Sequence, residues 1–88
     1  MSEERDPVVA LFGAAVRLLV DSPEDVTVTV HRIATRTIIE IDSAPEDTGK
    51  IIGKMGKTAM ALRQLLSAMS GRFNVNYQLE VKEHGSKS

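Results

Sequence analysis

Eight consecutive residues constrain this chain more than any others: Ile51-Ile52-Gly53-Lys54-Met55-Gly56-Lys57-Thr58. Two glycines three apart permit a tight turn with uncrowded backbone amides, and lysines at 54 and 57 make its side chains cationic. The flanks define its setting. Ser43 and Glu46 have the S-x-x-E spacing of a capping box, so a short helix is expected to open near Ala44 and close at Gly53. From Lys57 onward Ala59, Leu62, Leu66 and Met69 recur at helical spacing, with Gly71 as the expected stop. The turn therefore joins two helices. Free amides and the partial positive charge at the second helix's N-terminus converge with Lys54 and Lys57 on one small volume, which suits a backbone phosphate.

Charge is distributed to match. A net charge of -1 and a pI of about 6.1 argue against coating of nucleic acid by bulk attraction. Between Thr48 and Arg72, however, lie Lys50, Lys54, Lys57, Arg63 and Arg72 and no acid, so this segment carries +5 and leaves -6 for the rest. The cationic surface is local and centred on the turn.

Several other classes fall away. With no cysteine and only His31 and His84, disulfides, thiolate metal sites and histidine clusters are excluded, and no metal or cofactor is expected. No nucleophile, base and orienter set exists, so an enzyme is not expected; Glu46 and Asp47 read as acids favoured in a helix's first turn. The ending Gly56-Lys57-Thr58 matches the close of a nucleotide-binding P-loop, but that motif needs a glycine where Ile51 stands, and a strand before the loop. The apolar run from Val8 to Val20 is broken by Gly13 and Arg17 and lacks a basic leader or small-residue cleavage site, so a cytoplasmic protein without membrane insertion is expected.

Read in order, Asp6-Pro7 supplies an N-cap and a first-turn proline, and Val8, Phe12, Ala15, Val16 and Leu19 share a helix face that ends near Asp21. Val26, Val28 and Val30 alternate with polar residues. After a turn at Ala34-Thr35, the run Thr37 to Asp42 alternates again with Ile39 and Ile41 inward, which predicts a hairpin. After the two helices, Phe73, Val75, Tyr77, Leu79 and Val81 alternate with Asn74, Asn76, Gln78 and Glu80, predicting a strand over 73–81. The expected order is α-β-β-α-α-β, an α+β domain with helices packed on one face of a three-stranded sheet. One domain accounts for all 88 residues, with an ordered core of about 7–82 and flexible polar ends at 1–5 and 84–88.

This order, together with Ala44-Pro45-Glu46-Asp47-Thr48-Gly49-Lys50-Ile51-Ile52-Gly53-Lys54-Met55-Gly56-Lys57-Thr58-Ala59, resembles a KH domain of the type II, bacterial arrangement. Within that class the chain is similar, from about Val8 to Val81, to the short single-domain KH proteins of the KhpA family. The resemblance implies non-catalytic binding of about four nucleotides of single-stranded RNA. Gly53, Lys54, Met55, Gly56, Lys57 and Thr58 would hold the sugar-phosphate backbone, with Lys50 nearby and Ile52 helping to floor a groove for splayed bases. Single-stranded DNA fits the same groove. Met55 departs from the polar or basic residue common in the family, which trims charge without changing geometry. The family further implies an RNA chaperone or post-transcriptional regulator that self-associates, works with a second KH protein of the Jag or KhpB type, and is linked to cell-envelope and cell-size control.

With aromatic residues at 3%, stacking platforms are scarce and recognition must lean on the groove and hydrogen bonds to base edges. The rival class is a protein-interaction adaptor with a KH fold and little RNA affinity. On the helix after the turn, Leu65 lies beyond the predicted core stripe beside the small residues Ala61 and Ala68, so it either faces a dimer partner or caps the core.

Overall fold

The computed structural model describes residues 6–83. The end segments expected to be flexible, 1–5 and 84–88, and His84 lie outside the described residues.

The first helix, α1 (Pro7–Leu19), starts as its sequence dictates: the Asp6 carboxylate accepts the Val8 N–H at 2.9 Å, and proline occupies the first turn. It buries Val8, Val9, Phe12 and Val16. Leu19, expected on this face, is 39% exposed because it closes the helix, and Val9 completes the buried arc instead. Strands β1 (Thr27–Ile33) and β2 (Arg36–Asp42) form the predicted antiparallel hairpin, with Val28 opposite Ile41 and Val30 opposite Ile39. Ala34 makes the turn with a left-handed φ of 55°. His31, for which the sequence offers no partner, sits beside Glu40 on the outer face of the sheet, 3.0 Å apart.

The capping box does not form. The residue before a proline is held extended, and Ala44 (φ -58°, ψ 140°) precedes Pro45, so no α-helix can begin there. A 3-10 turn over Pro45–Asp47 leads instead into the five-residue helix α2 (Thr48–Ile52), and the buried Ser43 hydroxyl donates to the Ala44 carbonyl at 3.2 Å.

The long helix α3 (Lys57–Phe73) runs through Gly71 and ends at Asn74, which adopts φ 57° and donates its N–H to the Ser70 carbonyl. Asparagine tolerates the left-handed cap, while one glycine within a helix costs only about 1 kcal/mol, less than packing supplies. Strand β3 is accordingly Asn76–Val81 and shorter than predicted. Phe73 belongs to the helix and is 48% exposed, not inward.

β3 pairs parallel to β2 (Ile39 with Leu79), giving the order β1-β2-β3. Central β2 therefore carries two fully buried isoleucines, Ile39 and Ile41, against Phe12, Val16, Ile51 and Leu66. Opposite, the Tyr77 hydroxyl donates to both Asp6 oxygens at 2.9 and 3.1 Å, fastening the start of α1 to β3. Burial and that hydrogen bond push the phenol up to about 12.

Candidate nucleic-acid interface

The turn between α2 and α3 is built from backbone conformations that few residues tolerate. Gly53 ends α2 with φ 81°, ψ 167° and donates its N–H to the Gly49 carbonyl at 2.8 Å. A Cβ at this position would collide with the Thr58 side chain and lie 2.7 Å from the Thr58 nitrogen. Met55 (φ 57°) and Gly56 (φ 75°) follow in the left-handed region. The turn is closed by hydrogen bonds from Gly56 N–H to the Gly53 carbonyl (3.0 Å) and from Lys57 N–H to the Lys54 carbonyl. Half-buried Thr58 shapes the turn from within, whereas Lys54, Met55 and Lys57 stand outside it, Met55 being 87% exposed.

No side chain caps the N-terminus of α3, which begins at Lys57 beside the turn. Among the described residues, neither Lys54 nor Lys57 pairs with a carboxylate. A cationic, donor-rich mouth results.

Lys50 is placed differently. Its ammonium lies 3.4 Å from Asp21 and 3.5 Å from Asp47, and the Asp21 charge, first among several causes, raises its pKa. Asp47 is fully buried and also accepts N–H bonds from Ser22 (3.0 Å) and Asp21 (3.3 Å). Burial pushes its carboxyl up, but these donors and Lys50 together outweigh that and hold it below the usual carboxylate range. Asp47 is thus more than a first-turn acid: it ties the turn after α1 to the start of α2. Its distant partners leave no local sequence signal.

A cleft leads away from the mouth. It consists of two shallow hollows that share Arg63 and Ser67: Met55, Gly56, Met60 and Gln64 line the first, and Leu66, Ser70 and residues 76–80, Glu80 among them, line the second. Ile52 is half-buried and lines neither part, while Ile41 is wholly core. The far wall is a strand edge. Lys82 N–H bonds to the Ile41 carbonyl at 2.8 Å, so even-numbered positions of β3 face β2, and Tyr77 and Leu79 turn their backbone groups to the free edge. From α3, Ser70 Oγ accepts the Tyr77 N–H (3.1 Å) and Arg63 Nη2 donates to the Leu79 carbonyl (3.3 Å). The Leu79 N–H and Tyr77 carbonyl have no neighbouring strand.

On the opposite flank of α3, Ala61, Leu65 and Ala68 are exposed. Leu65, at 48% exposure, does not cap the core; Ala59, Leu62, Leu66 and Met69 do that.

The cleft offers hydrogen-bond donors and the Arg63 guanidinium, with one carboxylate, Glu80, in its lining. Among the described residues no group of three or more His, Cys, Asp or Glu could hold a metal ion, and no helix is long and apolar enough to cross a membrane.

The family model for the KhpA/KhpB KH domain matches residues 11–81. The RNA-binding protein KhpA of Treponema pallidum (strain Nichols) is 44% identical over 71 residues, covering 81% of this chain and 89% of the relative. The protein of the same name from Chlamydia trachomatis serovar D is 43% identical over 68 residues (77% and 87% covered). That from Listeria monocytogenes serovar 1/2a is 37% identical over 73 residues (83% and 96%).

Proposed function

The chain belongs to the KhpA/KhpB KH-domain family, which is not an enzyme family, and from that premise we propose that it binds single-stranded RNA at the Gly53–Lys57 turn and the cleft between α3 and β3. One observation supports this reading: an uncapped helix N-terminus and two lysines without a carboxylate partner among the described residues flank Met55 and Gly56, which line the near end of a cleft that runs along α3 to the free edge of β3. The turn holds the sugar-phosphate backbone, with Gly53 and Gly56 setting its shape, Thr58 supporting it, and Lys54 and Lys57 supplying charge. Bases enter the cleft and use backbone groups of β3. Lys50, held by two aspartates, contributes to the scaffold more than to the phosphate contact.

A cleft that needs exposed base edges favours single strands over duplex. Replacing Lys54 and Met55 together by Asp should abolish RNA binding in a titration while leaving the melting curve nearly unchanged. With two or three phosphates neutralised, log affinity of the wild type should fall against log salt with a slope of roughly -1.4 to -2.1. Undiminished affinity in the double variant sinks the assignment and favours the adaptor alternative.

The opposite flank of α3 supports a second element of the proposal. Exposed Leu65 beside Ala61 and Ala68 makes an apolar ledge on which a second helix can approach closely, from another copy or from a second KH protein of the Jag or KhpB type. Acting through such a partner, the chain serves as an RNA chaperone or post-transcriptional regulator in the cytoplasm. Leu65→Glu should convert a dimer into a folded monomer. A wild-type solution mass of 9.6 kDa at micromolar concentration excludes self-association.

A further inference from the structure

The chain holds no cysteine, so its four methionines carry all of its sulfur and are the side chains a two-electron oxidant meets first. They differ sharply in placement. Met1 lies outside the described residues, and Met69 is half-buried against the core. Met55 and Met60 are 87% and 57% exposed, and both line the hollow at the near end of the cleft. Neither belongs to the core or to the apolar residues packed against it, so the fold makes no use of either thioether. Met55 sits at φ 57° within a turn closed by two backbone hydrogen bonds, between Lys54 and Lys57 in the chain.

From this we infer that Met55 and Met60 form a reversible oxidation site through which a peroxide weakens the hold of the turn on RNA. The inference rests on the RNA-binding reading above. A thioether lone pair attacks one oxygen of hydrogen peroxide: the S–O bond forms, the O–O bond breaks, and the departing hydroxide takes up the proton of the transferred oxygen and leaves as water. Sulfur loses two electrons and the peroxide gains them. The product is methionine sulfoxide, which methionine sulfoxide reductases return to the thioether. Oxidation thus replaces a weak acceptor by a strong one with a partly negative oxygen. At Met55 that oxygen arrives beside donors otherwise left for phosphate, the Lys54 and Lys57 ammonium groups and the uncapped N-terminus of α3. It competes for those donors and repels phosphate oxygens. At Met60 it makes an apolar wall of the hollow polar.

The full chain, treated with hydrogen peroxide, quenched and titrated with a pool of random single-stranded RNA dodecamers, tests this. Peptide mass mapping should find sulfoxide at 55 and 60 before 69, with circular dichroism unchanged. Affinity should fall about threefold, the scale of one solvent-screened contact, and return after treatment with reductases of both stereospecificities. The variant carrying both Met55→Leu and Met60→Leu is compared with itself before and after peroxide: whatever its starting affinity, oxidation should leave it unchanged. Undiminished affinity of wild type bearing both sulfoxides overturns the inference. So does a loss that persists in the double variant, or one that accompanies a collapse of the circular dichroism signal, since either places the damage elsewhere in the chain. Untreated wild type that binds none of the RNA pool overturns RNA binding itself, and the oxidation site as its control with it.

Discussion

Lys50 and Lys54 are separated by about one helical turn on the same acid-free stretch, yet the fold treats them oppositely. Within α2, Lys50 meets Asp21 and Asp47, and Asp47 is buried against two backbone N–H groups from the turn after α1. Just past the end of α2, Gly53 redirects the chain and Lys54 projects into solvent with no carboxylate beside it. The first region uses its charges to join elements; the second leaves them available. A cation's neighbours in space, not in sequence, decide whether it is free to take a ligand.

The sharpest way to break this contrast is at Asp47. Asp47→Ala would leave the Asp21 and Ser22 N–H groups without their acceptor and Lys50 with Asp21 alone, and partly buried donors stranded in this way are costly. A fall in melting temperature on the order of 10 °C is expected, well beyond that of any substitution in the turn. A shift no larger than that of Lys54→Gln would remove the scaffold role.

Acid titration sharpens the same point. The Asp47 carboxyl sits below its ordinary value in the folded chain, so its contribution is fully present above the unfolded value of about 3.9 and is lost as pH falls through the folded one. Asp47→Asn should be less stable than wild type at neutral pH, and the gap in melting temperature should narrow as pH drops below about 4.

The smallest effects discriminate between the two lysines. Lys54→Gln should weaken RNA binding about fivefold, the size of a solvent-screened ion contact, and make the salt slope shallower by about 0.7. Lys50→Gln should change affinity less than about twofold, because its charge is already balanced by two aspartates. Equal losses at both positions would erase the distinction.

Much of this architecture was legible in the chain itself, since helix and strand faces are set by local periodicity. Ile39 and Ile41 on β2 and Ala59 and Leu66 on α3 all follow from period-2 or period-3.6 spacing. The glycines at 53 and 56 likewise announce the turn, because only a few residues accept its positive φ values. Helix ends were read less well, since competing local signals are close in energy: Pro45 overrode the Ser43–Glu46 cap, and Asn74 rather than Gly71 ended α3.

What the sequence by itself determined, then, was the order of elements, the inward residues and the place of the cationic turn, all consequences of interactions within a few residues. Tertiary structure alone decided that Asp47 would be buried beneath Asp21 and Ser22, that Lys50 would be neutralised, and that Leu65 would face outward. It alone brought Arg63 and Ser70 to the free edge of β3, beside Leu79 and Tyr77. Each of those outcomes depends on which elements pack together, and a hydrogen bond or ion pair between segments distant in the chain leaves no periodic trace in either one.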